Sequence, residues 1–509
     1  MKLNATTVAR NTVFNFFGQA IPLLVGVVTI PFIVRGLGTD RFGILSLVWI
    51  VLGYFTLFDL GLGRATTKFV AEAMGKGEQE KVPHLVWTTV TVQGCLGIVG
   101  SLVLASVTPL LVERILNIPS ELVKETETTI YLVALAIPAV LVSNSLSGVL
   151  EASQRFDLVN AVKIPASIST FVLPLIGLLL GFRLTGIVML MLISRFIVLA
   201  TLALLNLRVF PTLIRFSASL AIFSRLLGYG GWITLSNFII PIFVYLDRFL
   251  IGSILTMTDV TYYTAPFELA NKLLIIPASI AAVIFPASSS LVSQNSRHEL
   301  NAGVMRSIKY LVTVMAPPTV LVLIFAEGIL RIWLGNEFAT GSTTVLRLLC
   351  IAVLLNGIGY IPFALIQGIG RPDVVAKYHL IELPIYAGVI YFFITRFGIN
   401  GAAFAWCLRM LWTIPIFSIL CVKIAGVSLR SFSETRLNRS LLLTAGLLIV
   451  SIIIILFGYR DIIVMGLISV VLLILYGFLV WSFVFDRFDK DFIKRISGPR
   501  SKFLFERRS

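Results

Sequence analysis

The sequence predicts an all-α integral membrane protein of about fourteen transmembrane helices, built as two parallel six-helix repeats followed by two further helices. Its 509 residues are 58% hydrophobic and 13% charged, whereas soluble domains average roughly 25% charged and 45–50% apolar residues. Apolar runs of about 20 residues, the length that crosses a bilayer, recur along the whole chain with short connections between them. Short sequence anchors also recur at shifts of 214–219 residues.

In order, the runs centre near Leu23, Val51, Leu96, Val140, Val172, Leu199, Val244, Leu273, Val320, Leu355, Val389, Leu411, Leu447 and Leu473. The first extends over residues 13–34. That exceeds a signal-peptide core of roughly 7–15 residues, so it is expected to be retained as a span. The domains expected are residues 1–210 and 225–425 for the two halves, 438–485 for the last two helices, and 486–509 for a basic tail. With the N-terminus inside, 28 of the 41 Lys and Arg residues fall in inner segments, 9 in outer segments and 4 within spans. This positive-inside bias makes both termini cytoplasmic. It also accounts for the net charge of +16 without nucleic-acid binding, and leaves the tail to touch anionic lipid headgroups. The four cysteines, Cys95, Cys350, Cys407 and Cys421, lie in apolar runs and are expected to pack there without a disulfide framework.

The repeat pairs Ile21-Pro22 with Ile240-Pro241 and, in the same ungapped frame, Thr39-Asp40 with Thr258-Asp259. Glu113–Leu116 recurs as Glu327–Leu330, Thr128-Thr129 as Thr343-Thr344, Arg155–Val159 as Arg371–Val375, and Gly186 as Gly401. A unit of six spans is even, so both halves enter from the same side. Two such bundles enclose a cleft and are suited to alternating access, one rocking against the other. Proline frees a backbone carbonyl and permits a bend, which makes Pro22 and Pro241 the expected pair of bending points. The matching Arg155/Asp157 and Arg371/Asp373 pairs are expected to shape turns or close an inner gate.

The residues that carry function are the charges inside the spans. Gly231–Ser253, GWITLSNFIIPIFVYLDRFLIGS, holds Asp247 and Arg248, and the next run holds Glu268 and Lys272 at i,i+4 on one helix face. Arg195 and Arg409 have no acid in their own spans. A charge at mid-bilayer costs at least about 2.5–3.5 kcal/mol, so these groups face protein or water. Arg195, Arg248, Lys272 and Arg409 are the expected anion-binding set, since arginine takes phosphate oxygens bidentately. Asp247 and Glu268 are candidate sites of coupling to a proton or sodium gradient. Local pairing that merely joins helices is the other reading of these acids. Asp59 and Arg64 are read as an end pair or gate contact, and Tyr245, Tyr262 and Tyr263 as candidates for stacking on sugars.

Enzyme chemistry is not expected. The three histidines, His84, His298 and His379, are far apart and lack metal-site spacing. No GxxxxGK[ST] phosphate loop is present. No cofactor or metal is expected.

The stretch Arg10–Glu72, with LGTDRFG at Leu37–Gly43 and DLGLG at Asp59–Gly63, resembles the opening of the polysaccharide-flippase branch, the O-antigen flippase type, of the multidrug/oligosaccharidyl-lipid/polysaccharide exporter superfamily. LDRFLIG at Leu246–Gly252 fits the same branch. The resemblance is sharp over about the first 70 residues and extends over most of the chain in topology. It implies V-shaped halves like those of multidrug exporters. It also implies movement of undecaprenyl-diphosphate-linked sugar units to the outer leaflet of a bacterial inner membrane, with a polysaccharide polymerase and chain-length proteins as possible partners. A multidrug antiporter, which usually has twelve spans and favours an acidic cavity, is disfavoured by the acid-free first span at Thr12–Val34. A flippase for peptidoglycan precursor stays open. A membrane glycosyltransferase or polymerase would need longer outer loops than Pro109–Glu127.

Overall fold

The computed structural model describes residues 22, 24–57, 62–219, 238–281, 297–428, 433–457 and 461–491. Regular structure among them is helical throughout, without strands. Hydrocarbon offers no partner for an exposed backbone amide, so only elements that satisfy their own backbone can cross it. Helices formed by the apolar runs answer that demand. Nine among the described residues are long and apolar enough to cross a membrane, from Lys81–Ile115 to Ile462–Val484. The Leu24–Leu37 helix is apolar but shorter. Every expected span centre that the structure describes falls within a helix, including Val51 in Thr39–Leu57 and Val244 in the 238–254 helix. The runs centred on Val389 and Leu411 form two helices within Pro372–Ala425, separated by a kink at Gly398, whose φ of 59° suits a residue without a Cβ.

Close packing in lipid depends on small residues at helix contacts. A Cβ added at Gly97 would come within 2.5 Å of the Pro138 Cα, so glycine lets the Lys81–Leu110 helix lie directly on Val123–Ala152. Buried hydroxyls return to their own helix: Thr126 Oγ1 donates to the Leu122 carbonyl at 2.7 Å and Thr129 Oγ1 to Glu125 at 2.7 Å. Such i−4 bonds satisfy a polar group where water is absent. Pro138, Pro174 and Pro317 lie inside helices. Cys350, Cys407 and Cys421 are buried and free as expected, but Cys95 is exposed.

Two compact units are present. One is drawn from Ala9–Ala265 and Ala376–Ile399; its apolar core includes Val70, Val86, Val149, Leu150, Val159 and Leu202. The other is drawn from Pro266–Val375 and Asn400–Ser509. In it Ala316, Val320 and Ile324 of the Arg297–Leu334 helix pack against Leu447, Tyr476 and Val480 of the last two helices. The chain after those helices is held by charge. Lys309, fully buried, donates to Asp489 Oδ2 at 2.5 Å, Tyr310 OH to Asp489 Oδ1 at 2.5 Å, and Arg306 to Asp486 at 3.1 Å.

The sequence repeat has a backbone counterpart. Gln154 (φ 57°) and Gly370 (φ 83°) each adopt a left-handed conformation before the matching Arg. Arg155 N–H then bonds to Leu150 O at 2.9 Å, and Arg371 N–H to Ile366 O at 3.1 Å. The Arg155 guanidinium makes two bonds to Asp157 at 3.0 Å, and Arg371 bonds to Asp373 at 2.9 and 3.1 Å. The same Arg-x-Asp motif thus closes the same helix-to-helix turn twice.

Candidate functional site

Asp247 and Arg248 lie on the 238–254 helix, each 3% exposed. Asp247 Oδ2 accepts from the Tyr263 hydroxyl at 2.7 Å, and Oδ1 accepts from the Arg248 backbone N–H at 2.7 Å. The Arg248 guanidinium lies over the Tyr245 ring, 5.8 Å from its centroid. Tyr263 reaches Asp247 because the chain turns back after Leu255 and the Met257–Asn271 helix runs alongside. It is wholly buried, so the expected role in stacking on sugars does not fit this residue.

One turn before Asp247, Phe243 packs on Tyr386 at 5.9 Å and on His379 at 5.3 Å between ring centroids. His379 Nδ1 is 2.9 Å from Glu382 Oε2, and the Tyr378 hydroxyl donates to Glu382 Oε1 at 3.1 Å. Both His379 and Glu382 are buried. Neither belongs to the expected site, although their i,i+3 spacing on a helix was the available signal. The 238–254 helix therefore carries a buried polar pair at one level and, through Phe243, touches a second one.

Arg195 belongs to the same unit but not to this cluster. On the Leu184–Val209 helix its guanidinium donates to Thr170 Oγ1 at 3.3 Å, and the neighbouring Ser194 meets Ser169 at 3.1 Å. No carboxylate lies within 4.0 Å of Arg195 among the described residues. It is a half-buried cation that has hydroxyls for company.

In the other unit Lys272 Nζ bonds to Glu268 Oε2 at 3.1 Å, the two side chains being 23% and 20% exposed. Phe267 packs on Trp406, with ring centroids 5.5 Å apart. Arg409 follows on the Trp406 helix and is buried, its carbonyl accepting from Thr413 Oγ1 at 2.9 Å. The four expected cations are thus divided: Arg195 and Arg248 in one unit, Lys272 and Arg409 in the other. Pro22 and Pro241 are both buried and helical. Asp59 lies outside the described residues; Arg64 is on the Leu62–Gly75 helix. Among the described residues no group of three His, Cys, Asp or Glu side chains could hold a metal ion. The chemistry on offer is therefore cationic and hydrogen-bonding, with buried carboxylates beside it.

The helical fold is similar to that of solved transporters of the multidrug/oligosaccharidyl-lipid/polysaccharide exporter superfamily. An inward-facing multidrug resistance transporter of that superfamily superposes with a TM-score of 0.69 at 16% identity, over 82% of this chain and 96% of that one. A superfamily transporter from Pyrococcus furiosus superposes with a TM-score of 0.58 at 14% identity, over 82% and 96%. Residues 8–292 match the polysaccharide biosynthesis protein family, and the chain belongs to it. Among relatives, a Shigella flexneri protein described as a candidate O-antigen transporter is 28% identical over 423 residues, 83% of this chain and 99% of that protein. A Haloferax volcanii protein described as a probable low-salt glycan biosynthesis flippase is 24% identical over 258 residues, 50% and 53% of the two chains.

Proposed function

We propose that the chain is a flippase, not an enzyme. It moves undecaprenyl-diphosphate-linked oligosaccharide repeat units from the cytoplasmic to the outer leaflet of a bacterial inner membrane, by alternating access, for surface polysaccharide synthesis. The observation that carries this reading is the relative described as a candidate O-antigen transporter, matched along 99% of its length. Intramembrane cations supply the chemistry. A diphosphate presents oxygens that guanidinium groups bind bidentately, and a low-dielectric surround strengthens that attraction. Arg195, whose side chain bonds to the Thr170 hydroxyl at 3.3 Å and to no carboxylate among the described residues, keeps donors for such a ligand. Arg248, Lys272 and Arg409 are the other proposed contacts. Asp247 and Glu268 are the proposed coupling sites, for a proton or sodium gradient, and Pro22 and Pro241 the bending points. The charge bias favours cytoplasmic termini, and a polymerase and chain-length proteins of the same pathway are the proposed partners.

Depletion of the protein in its native cells tests the reading. Undecaprenyl-linked oligosaccharide is expected to accumulate on the inner leaflet, and re-expression is expected to restore outer-leaflet sugar. Unchanged surface polysaccharide, together with increased sensitivity to cationic drugs, would favour a multidrug exporter.

A further inference from the structure

Connections that the charge bias assigns to the outer side meet at one end of the unit containing Asp247. They are the bend before Thr39, the segment between Leu111 and Leu122, and the turn joining the 238–254 and Met257–Asn271 helices. Their contacts are polar. Thr39 Oγ1 lies 3.2 Å from Thr258 Oγ1, Thr258 Oγ1 donates to Asp40 Oδ1 at 2.6 Å, and Thr261 Oγ1 donates to the Thr39 carbonyl at 2.6 Å. Thr258 has one hydroxyl hydrogen and spends it on Asp40, so Thr39 donates to Thr258 and the bonds form a chain. On the other flank Asn117 N–H bonds to Gly252 O at 2.9 Å, and its Nδ2 to Ser253 O at 3.2 Å and Leu255 O at 2.7 Å. These carbonyls end the 238–254 helix and have no partner further along it.

Thr39 and Thr258 are the same position in the two repeats, and here they touch. Residues of parallel repeats can meet their own counterparts only near the axis that relates the repeats. The local chemistry is fitted to the contact by one difference. Asp259 is satisfied within its own helix start, by Thr256 N–H at 3.1 Å and Thr256 Oγ1 at 2.6 Å. The repeat frame puts Leu37 where Thr256 stands, so Asp40 has no such local donor and accepts from Thr258 instead. Gly43 admits the approach: a Cβ there would run into the Met257 carbonyl.

We infer that the junction of Thr39–Asp40 and Asn117 with residues 252–261 is an outer latch, closed in this structure, which parts when the transport path opens outward. The inference rests on the alternating-access reading above. Thr39, Asp40 and Thr258 are half-exposed and Asn117 is exposed, so water can satisfy their groups once they separate, while Thr261 is buried and bonds to the Thr39 carbonyl from the inner side of the junction. A contact made by backbone approach at a glycine parts without rotamer changes in interlocked side chains. Both features suit a contact made and broken in each cycle.

The test has two arms, both in a chain whose exposed Cys95 is replaced by alanine. In the first, Thr39→Cys and Thr258→Cys are combined and bridged with a short thiol-specific cross-linker cleavable by reductant. Cross-linking is expected to stop sugar export, reductant to restore it, and the single variants to export normally. In the second, Thr264→Cys, a turn inward and buried, reports access to a membrane-impermeant maleimide added outside. Thr258→Val is expected to raise its labelling about fivefold, the equilibrium shift of about one net hydrogen bond, and Thr258→Ser to restore the original level. Export that continues through the cross-link, failure of the pair to cross-link, or unchanged labelling in Thr258→Val overturns the latch. If the labelling shift appears in a protein that moves no lipid-linked sugar, the latch stands and the substrate assignment fails.

Discussion

Replacing Asp489 with alanine removes at once the acceptor of Lys309 Nζ (2.5 Å), Tyr310 OH (2.5 Å) and the Asp486 N–H (2.8 Å), with the Arg306 guanidinium 4.0 Å away. Lys309 has no solvent exposure, so its ammonium is left either buried without a counter-charge or rescued by water. Breaking one partner of a buried ion pair costs about 3–5 kcal/mol. The chain can lower that cost by releasing residues 486–491, which forfeits the packing of Arg306 on Phe488 at 3.8 Å and the bond from Arg306 to Asp486 at 3.1 Å. Those contacts together are worth roughly 2–4 kcal/mol. The two routes are similar in size, so Asp489→Ala is expected to destabilise the tail docking by about 3 kcal/mol. Lys309→Met should cost less, about 1–2 kcal/mol, because Asp489 keeps Tyr310 and the Asp486 amide. The double variant should cost less than the sum of the two, since the orphaned ammonium is gone. Thermal unfolding in detergent and protease sensitivity of the C-terminal segment measure both effects. A cost below about 1 kcal/mol for Asp489→Ala, or strict additivity in the double variant, would refute a structural role for the pair.

The docking should also depend on pH. Burial by itself would push the Asp489 carboxyl up, but the bonds from Lys309, Tyr310 and the Asp486 amide outweigh it and hold the group below its ordinary value. A carboxylate depressed in the folded state contributes stability that is present above its unfolded value and lost as pH falls through the folded one. Protease resistance of the tail should therefore be constant at neutral pH and fall only at acidity below the usual carboxylate range. Gly43→Ala should destabilise by about 1–2 kcal/mol, since overpacking against a backbone carbonyl exceeds the gain in helix propensity. Gly446→Ala, with nothing within 4 Å of the new Cβ, should instead stabilise by up to about 1 kcal/mol in the same unfolding assay. Arg195→Gln should leave thermal stability within about 1 kcal/mol, as the bond lost among the described residues is to a hydroxyl, yet lower export about tenfold; normal export would remove Arg195 from the substrate path. Converting Asp247, Arg248 and Tyr263 together to Val, Thr and Ile should keep the protein inserted and folded while abolishing export.

Span positions were legible because a bilayer imposes a simple rule on length and polarity. The partners of the charges were not, apart from those within one turn of helix. Glu268 and Lys272 meet as their i,i+4 spacing requires. Asp247 instead finds Tyr263 on the next helix, a contact fixed by how two helices rotate against each other, which hydropathy does not encode. Lys309 and Asp489 are 180 residues apart and carry no shared local signal. His379 and Glu382 stand at i,i+3, a spacing that permits their 2.9 Å contact but does not by itself distinguish a buried hydrogen bond from two unrelated polar residues. The Arg-x-Asp turns were the reverse case: a short motif with bidentate geometry specified its own backbone, and did so twice.

The most informative difference lies between the halves themselves. In the repeat frame that joins Pro22 to Pro241, Asp247 stands opposite Val28, Arg248 opposite Thr29, and Tyr263 opposite Ile44. Ile44 is buried, and Thr29 Oγ1 donates to its own helix at Val25 O, 2.8 Å away. The positions of the hydrogen-bonded Asp247 and Tyr263 are therefore both apolar in the first half, Val28 exposed and Ile44 buried, and the adjacent cation is a threonine there. The scaffold needs neither the charge nor the hydrogen bond to form this helix pair. Buried ionic groups cost desolvation that well-packed apolar residues of similar size avoid. A half that carries them is less economical in stability than one that does not, and packing alone gives no reason for the asymmetry. Symmetry is kept where the repeats touch, at Thr39 and Thr258, and abandoned several residues deeper, where a ligand or proton would act. That division fits a machine whose outer closure draws on both halves while the proposed coupling acids, Asp247 and Glu268, stand in one.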